Sequence, residues 1–317
     1  MKDIDFTAVG YPSIDRIIKT ATCPCFCKTS IITNADNNTP YFGGCNVNVA
    51  YLGSAFNLKT ALAMNVGKDF ESSGFKSFLE DEEVVLDCVN EIKEDVTSCT
   101  YLITNPDGEH ITLFYQGAMD TKYQVNLNED TIKRSKYGII TVGNPKHNIE
   151  FANLCKKHNV PMVLGMKCDF KSFTVEIIDQ IIKGCEILVM NESEKLELEK
   201  ALNMKDITEA FKNNVTKIII VTKGASGSEI YQYKNGEVKK YIIPVAKPKA
   251  VVDTAGVGDA YLSGFMVAYI NGKDIEQCGR LGAVLSSFII EKMGCLTNVP
   301  SEEELMKRYK DNYKEEF

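Results

Sequence analysis

A glycine-rich segment that ends in an aspartate, residues 253–259 (Asp-Thr-Ala-Gly-Val-Gly-Asp), carries the residue types that phosphoryl transfer requires. The run before it, 241–245, is β-branched and aromatic and predicts a strand, and the run after it predicts a helix. Gly256 and Gly258 therefore lie where a loop enters a helix, and the unpaired N–H groups and dipole of a helix start favour an anion. A carboxylate would repel a phosphate, so Asp259 makes chemical sense as the base that accepts the proton of an attacking hydroxyl. An ordinary glycine-rich turn with a capping aspartate explains the same residues and stays open at this point.

Length and composition place the chain among ordinary globular proteins. Its 317 residues are 44% hydrophobic and 25% charged, which suits one large α/β domain. A net charge of −7 without a long Lys/Arg cluster argues against a nucleic-acid partner. No apolar stretch approaches the roughly 18 residues of a membrane span, and the acidic start is unlike a signal peptide. The 11 scattered cysteines fit reduced thiols and predict a cytoplasmic location.

Three of these cysteines, Cys23, Cys25 and Cys27, are close enough in sequence to suggest a metal or redox site. No histidine is near them, and their C-x-C spacing differs from the C-x-x-C pairs of zinc ribbons. Exposed or interface cysteines on a hairpin are the favoured interpretation. The three histidines of the chain also show no metal-ligand spacing.

Hydrophobic patterning predicts strands and helices in alternation, and hence a mostly parallel sheet covered on both faces. The strands predicted for this sheet are 6–10, 60–66, 137–142, 161–164, 187–190, 217–222 and 241–245. The predicted helices are 45–52 closed by Gly53, 74–81, 149–158, 173–183, 192–202, 207–213, 260–271, 274–292 and 301–316. Two further strands, 100–104 and 111–115, are joined by the turn 105–109 as a hairpin. The alternating pattern of residues 19–42 predicts a small antiparallel β-segment inserted in the chain.

Polar residues follow the early strands, where ligands of parallel sheets bind. Asp15 follows the first strand and could accept hydrogen bonds from two sugar hydroxyls, although a turn or cap aspartate is the favoured interpretation of this residue taken alone. Gly43 and Gly44 open a helix and would allow close approach of a substrate, with Asn48 bonded to a hydroxyl. A glycine-rich helix entry with a solvent-facing asparagine is the alternative.

Two later segments have the same position after a strand. Asn191 and Glu194 share one face of a helix start and could orient a water on a Mg²⁺ that bridges nucleotide phosphates. A helix capping box is the alternative. Thr222, Gly224 and Gly227 form a loop that could lie along the phosphates, although a lone loop of this kind is weak evidence. No Gly-x-x-x-x-Gly-Lys-Ser/Thr motif is present, so a P-loop kinase is excluded.

Together and in this order, the segments resemble the ribokinase-like (PfkB) family of sugar and nucleoside kinases over residues 5–300. Residues 43–53 resemble the family's first signature and 253–260 its second, while 191–194 and 222–227 match its Asn-x-x-Glu and ATP-loop motifs. Within the family, 114–119, 278–282 and 294–300 look most like the archaeal and bacterial adenosine or nucleoside kinases. Four positions depart from the pattern, namely Gln116, Gly165, Ala255 and Leu262.

The resemblance implies a three-layer α/β/α domain spanning 1–317, with a small β-sheet lid inserted near 16–42 and 98–118. It implies ATP and Mg²⁺, with Asp259 as general base and the backbone N–H groups of Gly256, Val257, Gly258 and Asp259 as an anion hole. Asp15, Gly43, Gly44 and Asn48 would hold the acceptor. Asn191, Thr222, Gly224 and Gly227 would bind the nucleotide, and Glu194 would bind Mg²⁺ through water. A monovalent cation such as K⁺ near the carbonyls of Asp253 and Ala255 is common in the family.

The expected reaction is phosphorylation of a primary hydroxyl on a ribosyl nucleoside or sugar. A fructokinase-like hexose kinase of the same family is an alternative, as is a non-catalytic regulator that binds a sugar or nucleoside on this fold. Apolar alternation near 30–42 and 100–115 would permit a homodimer formed by the lids.

Overall fold

The computed structural model describes residues 2–107, 109–123, 125–167 and 174–317. The strands in these ranges are β1 (Ile4–Val9), β2 (Ser13–Lys19), β3 (Tyr41–Gly43), β4 (Thr60–Gly67), β5 (Val85–Ile92), β6 (Cys99–Thr104), β7 (His110–Tyr115), β8 (Ser135–Ile140), β9 (Met162–Gly165), β10 (Cys185–Asn191), β11 (Ile218–Thr222), β12 (Ser228–Lys234) and β13 (Glu237–Ile243). The α-helices are α1 (Cys45–Ala55), α2 (Phe75–Glu80), α3 (Glu129–Lys133), α4 (Pro145–Lys157), α5 (Val175–Ile182), α6 (Glu192–Ala201), α7 (Val257–Ile270), α8 (Ile275–Ile289) and α9 (Glu302–Tyr313).

A nine-stranded sheet forms the centre of the molecule, in the order β13-β12-β11-β10-β9-β8-β1-β4-β5. The seven strands from β11 to β5 are parallel, and β12 and β13 extend the sheet antiparallel. Every residue of β4 is buried, as expected of a parallel strand covered on both faces. Helices α1, α7 and α8 pack side by side in one layer, and α3, α4 and α5 pack together in another. The predicted three-layer α/β/α class is confirmed.

A second, four-stranded sheet has the order β3-β2-β6-β7. Strands β6 and β7 form the predicted antiparallel hairpin, and Gly108 of its turn lies outside the described residues. Strand β2 pairs parallel to β6 and antiparallel to β3. The carboxyl end of β1 thus leads directly into this second sheet.

Several sequence predictions need correction. Strands β2, β5 and β12 and helix α3 were not predicted, because their apolar patterns are short or half-exposed. Most of 20–40 is irregular, with a single antiparallel bridge between Thr20 and Ile32 in place of strands. Residues 207–213 form a 3₁₀-helix. The prediction for 173–183 is met from Val175 onward, and Phe173 lies outside the described residues.

Gly53 does not end the first helix as predicted but lies within α1. A Cβ atom at this position would come within 2.7 Å of the Phe6 ring and 2.9 Å of Thr60. Glycine is therefore required here because the helix packs closely on the sheet. This close packing explains why glycine, a poor helix former, lies in the interior of α1.

Cys23, Cys25 and Cys27 are exposed and free, in the irregular segment between β2 and β3. Within the described residues, no group of three or more potential ligands is arranged to hold a metal ion. Across the same residues, every helix falls short of the length and apolar content needed to cross a bilayer.

Candidate active site

Two adjoining cavities open at the carboxyl edge of the large sheet. The first has a volume of about 650 Å³ and lies between the large sheet and the small one. The second, of about 290 Å³, lies over the ends of β10 and β11. Asp259 and Gly256 line both cavities, so the glycine-rich segment 253–259 lies at their junction.

The start of α7 presents free backbone donors at this junction. Gly256 is the N-cap, with φ of 72°, and no side chain caps the helix. The first intrahelical bond of this turn runs from the N–H of Ala260 to the carbonyl of Gly256, at 2.9 Å. The N–H groups of Val257, Gly258 and Asp259 therefore precede the intrahelical ladder, as at any helix start, and they add to the positive end of the dipole.

The Asp259 carboxylate is held by a buried asparagine of α1. Asn48 donates its Nδ2–H to Asp259 Oδ2 at 2.7 Å, which fixes the orientation of the amide. Asn48 is 3% exposed, and its Oδ1 has no hydrogen-bond partner among the described residues. A buried acceptor of this kind is costly unless a ligand satisfies it, so Asn48 Oδ1 is placed to accept from a hydroxyl.

Burial raises the pKa of Asp259 to about 6, although one side of the residue opens to the cleft. The hydrogen bonds from Asn48 and Cys45 and the charge of Lys167 oppose this rise without cancelling it. A carboxylate with a pKa near neutrality is a better proton acceptor than an ordinary aspartate, yet it remains ionised at pH 7.

One face of the small sheet forms a wall of the larger cavity. Cross-strand pairs Thr100–Phe114, Leu102–Thr112 and Thr104–His110 all point to this cavity, because paired residues share a face. The wall includes a polar part, formed by Ser13, Asp15 and Thr100, and the apolar side chains of Ile17, Leu102 and Phe114.

Asp15 lies on β2 in the polar part of this wall. Ser13 donates a short hydrogen bond to Asp15 Oδ1 and is 2.8 Å from the Thr100 hydroxyl. Burial raises the pKa of Asp15, and the hydrogen bonds from Ser13 and Thr100 lower it. The carboxylate is thus oriented by its neighbours and faces the same cavity as Asp259.

Gly43 and Gly44 bring the chain close to these side chains. A Cβ at Gly44, whose φ is 105°, would lie 2.1 Å from the Tyr11 carbonyl oxygen, so only glycine fits. A Cβ at Gly43 would lie 3.2 Å from Asn48 Oδ1 and 3.7 Å from Asp15 Oδ2. Gly43 therefore leaves room beside both polar groups.

The residues predicted to bind the nucleotide are only partly brought together. Asn191, Glu194 and Thr222 line the smaller cavity, whereas Gly224 and Gly227 line neither cavity. A glycine is needed at position 227 for structural reasons, because φ is 83° and a Cβ there would lie 2.2 Å from the Ile243 carbonyl oxygen.

The alternative of a capping box at the start of α6 is realised. Asn191 Oδ1 accepts from the Glu194 N–H and Glu194 Oε2 accepts from the Asn191 N–H, both at 2.8 Å. Because the two side chains also line the smaller cavity, the box orients the Glu194 carboxylate at that cavity. Capping and ligand binding are therefore compatible at this helix start.

Asp253 orders the loop before α7. Its Oδ1 accepts from the Ala255 N–H at 2.9 Å and its Oδ2 accepts from the Gly294 N–H at 3.0 Å. Both Asp253 and Ala255 line the larger cavity. The two hydrogen bonds tie the glycine-rich segment to the segment that follows α8.

Sequence reasoning missed three residues at the junction, Lys167, Cys45 and Cys295. Lys167 and Cys45 line both cavities, and Cys295 packs against Gly256, where a Cβ would lie 2.7 Å away. Burial and then the charge of Asp259 raise the pKa of Cys45 to about 12, so its thiol stays protonated and donates to Asp259. Gly165 marked the end of the strand before Lys167, but no motif marked the lysine itself.

Similarity to known proteins extends over nearly the whole chain. A model of the pfkB family of carbohydrate kinases matches residues 4–302. A nucleoside kinase of Methanocaldococcus jannaschii is 30% identical over 302 residues, which is 95% of each chain. The crystal structure of the nucleoside kinase of that organism, described as an archaeal member of the ribokinase family, superposes with a TM-score of 0.88 at 28% identity, covering 98% of this chain and 99% of that one.

Two more distant structures share the fold. A nucleoside kinase of Burkholderia thailandensis in complex with inosine gives a TM-score of 0.84 at 17% identity, covering 98% of this chain and all of that one (100%). Ribokinase of Arabidopsis thaliana with ribose and ATP gives 0.79 at 21% identity, covering 97% and 99%. The chain therefore belongs to the pfkB family of carbohydrate kinases, and it is an ATP-dependent kinase of a sugar or a nucleoside.

Proposed function

We propose that this kinase transfers the γ-phosphoryl group of ATP to a primary hydroxyl of a ribosyl nucleoside, with Asp259 as general base. The observation that carries the proposal is the Asp259 carboxylate, held by Asn48 at the junction of the two cavities. An acceptor hydroxyl bound in the larger cavity would donate its proton to Asp259. The same hydroxyl oxygen would face the γ-phosphoryl group of an ATP bound in the smaller cavity. The raised pKa of Asp259 suits the acceptance of that proton.

The N-terminal turn of α7 is proposed as the anion hole for the transferred group. The N–H groups of Gly256, Val257, Gly258 and Asp259 lie at the positive end of the helix dipole, with Gly258 leaving the approach open. ATP would lie in the smaller cavity, beside Asn191 and Thr222, with Gly224 and Gly227 shaping the adjacent loop.

The donor set at the smaller cavity fits magnesium. Glu194 brings a carboxylate, a hard oxygen ligand, to the cavity that adjoins the anion hole. When bound there through water, Mg²⁺ would neutralise charge on the phosphates of ATP. A monovalent cation such as K⁺ near the carbonyls of Asp253 and Ala255 would act on the same loop from the other side.

The shape of the larger cavity supports a nucleoside as acceptor. Asp15, Gly43, Gly44 and Asn48 offer hydrogen bonds to ribosyl hydroxyls near Asp259. Three apolar side chains of the same wall, Ile17, Leu102 and Phe114, suit the face of a base. A free pentose would leave most of the roughly 650 Å³ to water.

We propose that the small sheet is a lid on the single domain 1–317, formed by the segments near 16–42 and 98–118. It carries the wall of the larger cavity and joins the large sheet through short connections such as the one between β1 and β2. Closure over the acceptor would exclude water and limit ATP hydrolysis. The ten cysteines among the described residues are all free, which supports a cytoplasmic location.

Activity should fall in acid with the titration of Asp259. Since its folded pKa is about 6, the ionised form is lost as pH drops from about 7 to 5, and kcat/KM should fall by about tenfold per pH unit below 6. Initial rates across this range test the prediction. Binding of ATP, measured over the same range, separates the titration of ATP from that of the enzyme. A kcat/KM that stays constant from pH 5 to 8 would contradict the role of Asp259.

We further propose that two copies associate through the outer faces of their small sheets. The pairs Tyr101–Leu113 and Ile103–Ile111 lie on the face opposite the cavity, and Tyr101, Ile111 and Leu113 are exposed there. Contiguous exposed apolar residues on a sheet mark an interaction surface. Every residue of β7 is exposed, and Tyr115 extends the same face.

Substitution Leu113→Glu should convert the dimer into a monomer, because it places a charge in the centre of this apolar face. Light scattering coupled to size exclusion measures the mass directly. The matched control is Val238→Glu, an equally exposed apolar residue on β13, which should leave the dimer intact. A wild-type protein that is monomeric at micromolar concentration would refute the proposed dimer.

A further inference from the structure

Lys167 lies two residues after β9, at the junction of the two cavities. Six residues line both cavities, and among them Lys167 is the cation. They are Cys45, Lys167, Thr254, Ala255, Gly256 and Asp259. Among the described residues, a group that moves from one cavity to the other therefore passes one positive side chain, that of Lys167.

The surroundings of Lys167 keep it charged. The groups that act on its ammonium are Cys45, Asp259, Cys295 and Asp15, and together they raise the pKa of Lys167 despite an opposing effect of burial. Across the described residues, no carboxylate lies within ion-pair distance of its Nζ. The charge thus faces the cavities with no direct counter-ion in that part of the chain.

Lys223, which follows the lining residue Thr222, differs in this respect. Its Nζ is 2.8 Å from Glu229 and 3.5 Å from Glu192, so its charge is already neutralised. Lys223 also lines neither cavity. Lys167 therefore differs from Lys223 in two ways: it lines both cavities, and its charge is not neutralised by a carboxylate among the described residues.

We infer that Lys167 is a catalytic residue whose ammonium contacts the γ-phosphoryl group during its transfer to the acceptor, an inference that rests on the proposed function. In that step the acceptor oxygen forms a bond to the γ-phosphorus as the bond to the β,γ-bridging oxygen breaks. The electron pair of the broken bond stays with ADP, and the hydroxyl proton goes to Asp259. Lys167 stays protonated throughout and offsets charge on the equatorial oxygens of the transferred group.

The alternative is that Lys167 only balances the negative charge of Asp15 and Asp259. The two roles differ in their consequences for nucleotide binding. A lysine that contacts the γ-phosphoryl group distinguishes ATP from ADP, because ADP lacks that group. If the lysine only balances the two aspartates, its loss changes the affinities for ATP and ADP equally and mainly shifts the pH dependence of the rate.

The test compares Lys167→Met, Lys167→Arg and the wild type by calorimetric binding of ATP and ADP with Mg²⁺ and by steady-state rates. Lys167→Met should bind ATP about tenfold more weakly and ADP nearly unchanged, and its kcat should fall about 100-fold. Lys167→Arg keeps the charge and should recover much of both losses. Lys136→Met is the matched control, since Lys136 pairs with Asp5 at the opposite edge of the sheet.

Equal losses of ATP and ADP affinity in Lys167→Met would overturn the inference, and so would wild-type kcat in that variant. Equal damage in the methionine and arginine variants would also overturn it, since charge would then be irrelevant. Asp259→Asn is measured in parallel. Loss of transfer in Asp259→Asn together with full activity in Lys167→Met would refute only the role of Lys167, whereas full activity in Asp259→Asn would refute the proposed function itself.

Discussion

Replacing Asp259 by Asn should lower kcat/KM by a factor on the order of 1,000 or more, because the acceptor hydroxyl then has no base to take its proton. Binding of ATP should be nearly unchanged, since the side chain contributes a proton acceptor rather than a nucleotide contact. The amide oxygen can still accept from Asn48 Nδ2, so the local geometry is conserved. Rates and ATP binding of the purified variant provide the measurement, and full activity would refute the mechanism.

The same substitution should stabilise the fold, in a way that depends on pH. The folded pKa of Asp259 is raised from 3.8 to about 6 by burial, so the ionised form costs folding free energy above pH 6. Below pH 3.8 the carboxyl is protonated in both states and the cost disappears. The variant should therefore melt a few degrees higher than the wild type at pH 8, and this difference should shrink towards pH 4. A variant that melts lower at pH 8 would contradict the burial of charge at this position.

Replacing Gly258 by Ala should remove most activity without harming the fold. A Cβ at Gly258 meets no atom within 4 Å, because it points into the smaller cavity at the first turn of α7. Alanine is favoured over glycine in a helix by about 0.5–1 kcal/mol, so the melting temperature should stay level or rise. The added methyl would occupy space needed by the phosphoryl group, and kcat should fall on the order of 100-fold.

Gly256→Ala is the informative comparison, two residues earlier. There φ is 72° and a Cβ would lie 2.7 Å from Cys295, so the variant should lose stability as well as activity. Thermal melts and rates of both variants separate the two effects. Wild-type activity in Gly258→Ala would show that the space beside α7 is not used by the transferred group.

The sequence predicted the parts of the fold that have strong local patterns. The buried parallel strands β4, β8, β10 and β11 follow continuous apolar runs, and α8 begins directly after Asp274, as predicted. Helix α7 begins at Val257, before the predicted start at 260, so Gly258 and Asp259 lie in its first turn. The family and its likeness to archaeal nucleoside kinases are confirmed by the comparisons. The resemblance implied that Asp259 and Asn48 both act on the acceptor, but their hydrogen bond, between residues 211 apart, was not predicted, because spacing alone carries no information about such distant contacts.

Other parts required the structure. Strand β2 is short and mixes buried and half-exposed residues without regular alternation, and its pairing with β6 depends on the fold of the small sheet. Gly53 looked like a helix end because its packing partner, Phe6, lies on strand β1, far away in the sequence. Lys167 follows β9 without a recognisable motif, and its position between two cavities emerges only when the ends of several strands are assembled.

The measurement that tests the central claim most directly is ADP formation from ATP and Mg²⁺ with a panel of nucleosides, ribose, fructose and fructose phosphates, run with the wild type and Asp259→Asn. We predict turnover with one or more nucleosides, little with free sugars, and none above background in the variant. Turnover with a free hexose alone would contradict the nucleoside assignment. If no compound of the panel supported ADP formation although the protein still bound ATP, the proposed reaction as a whole would be contradicted.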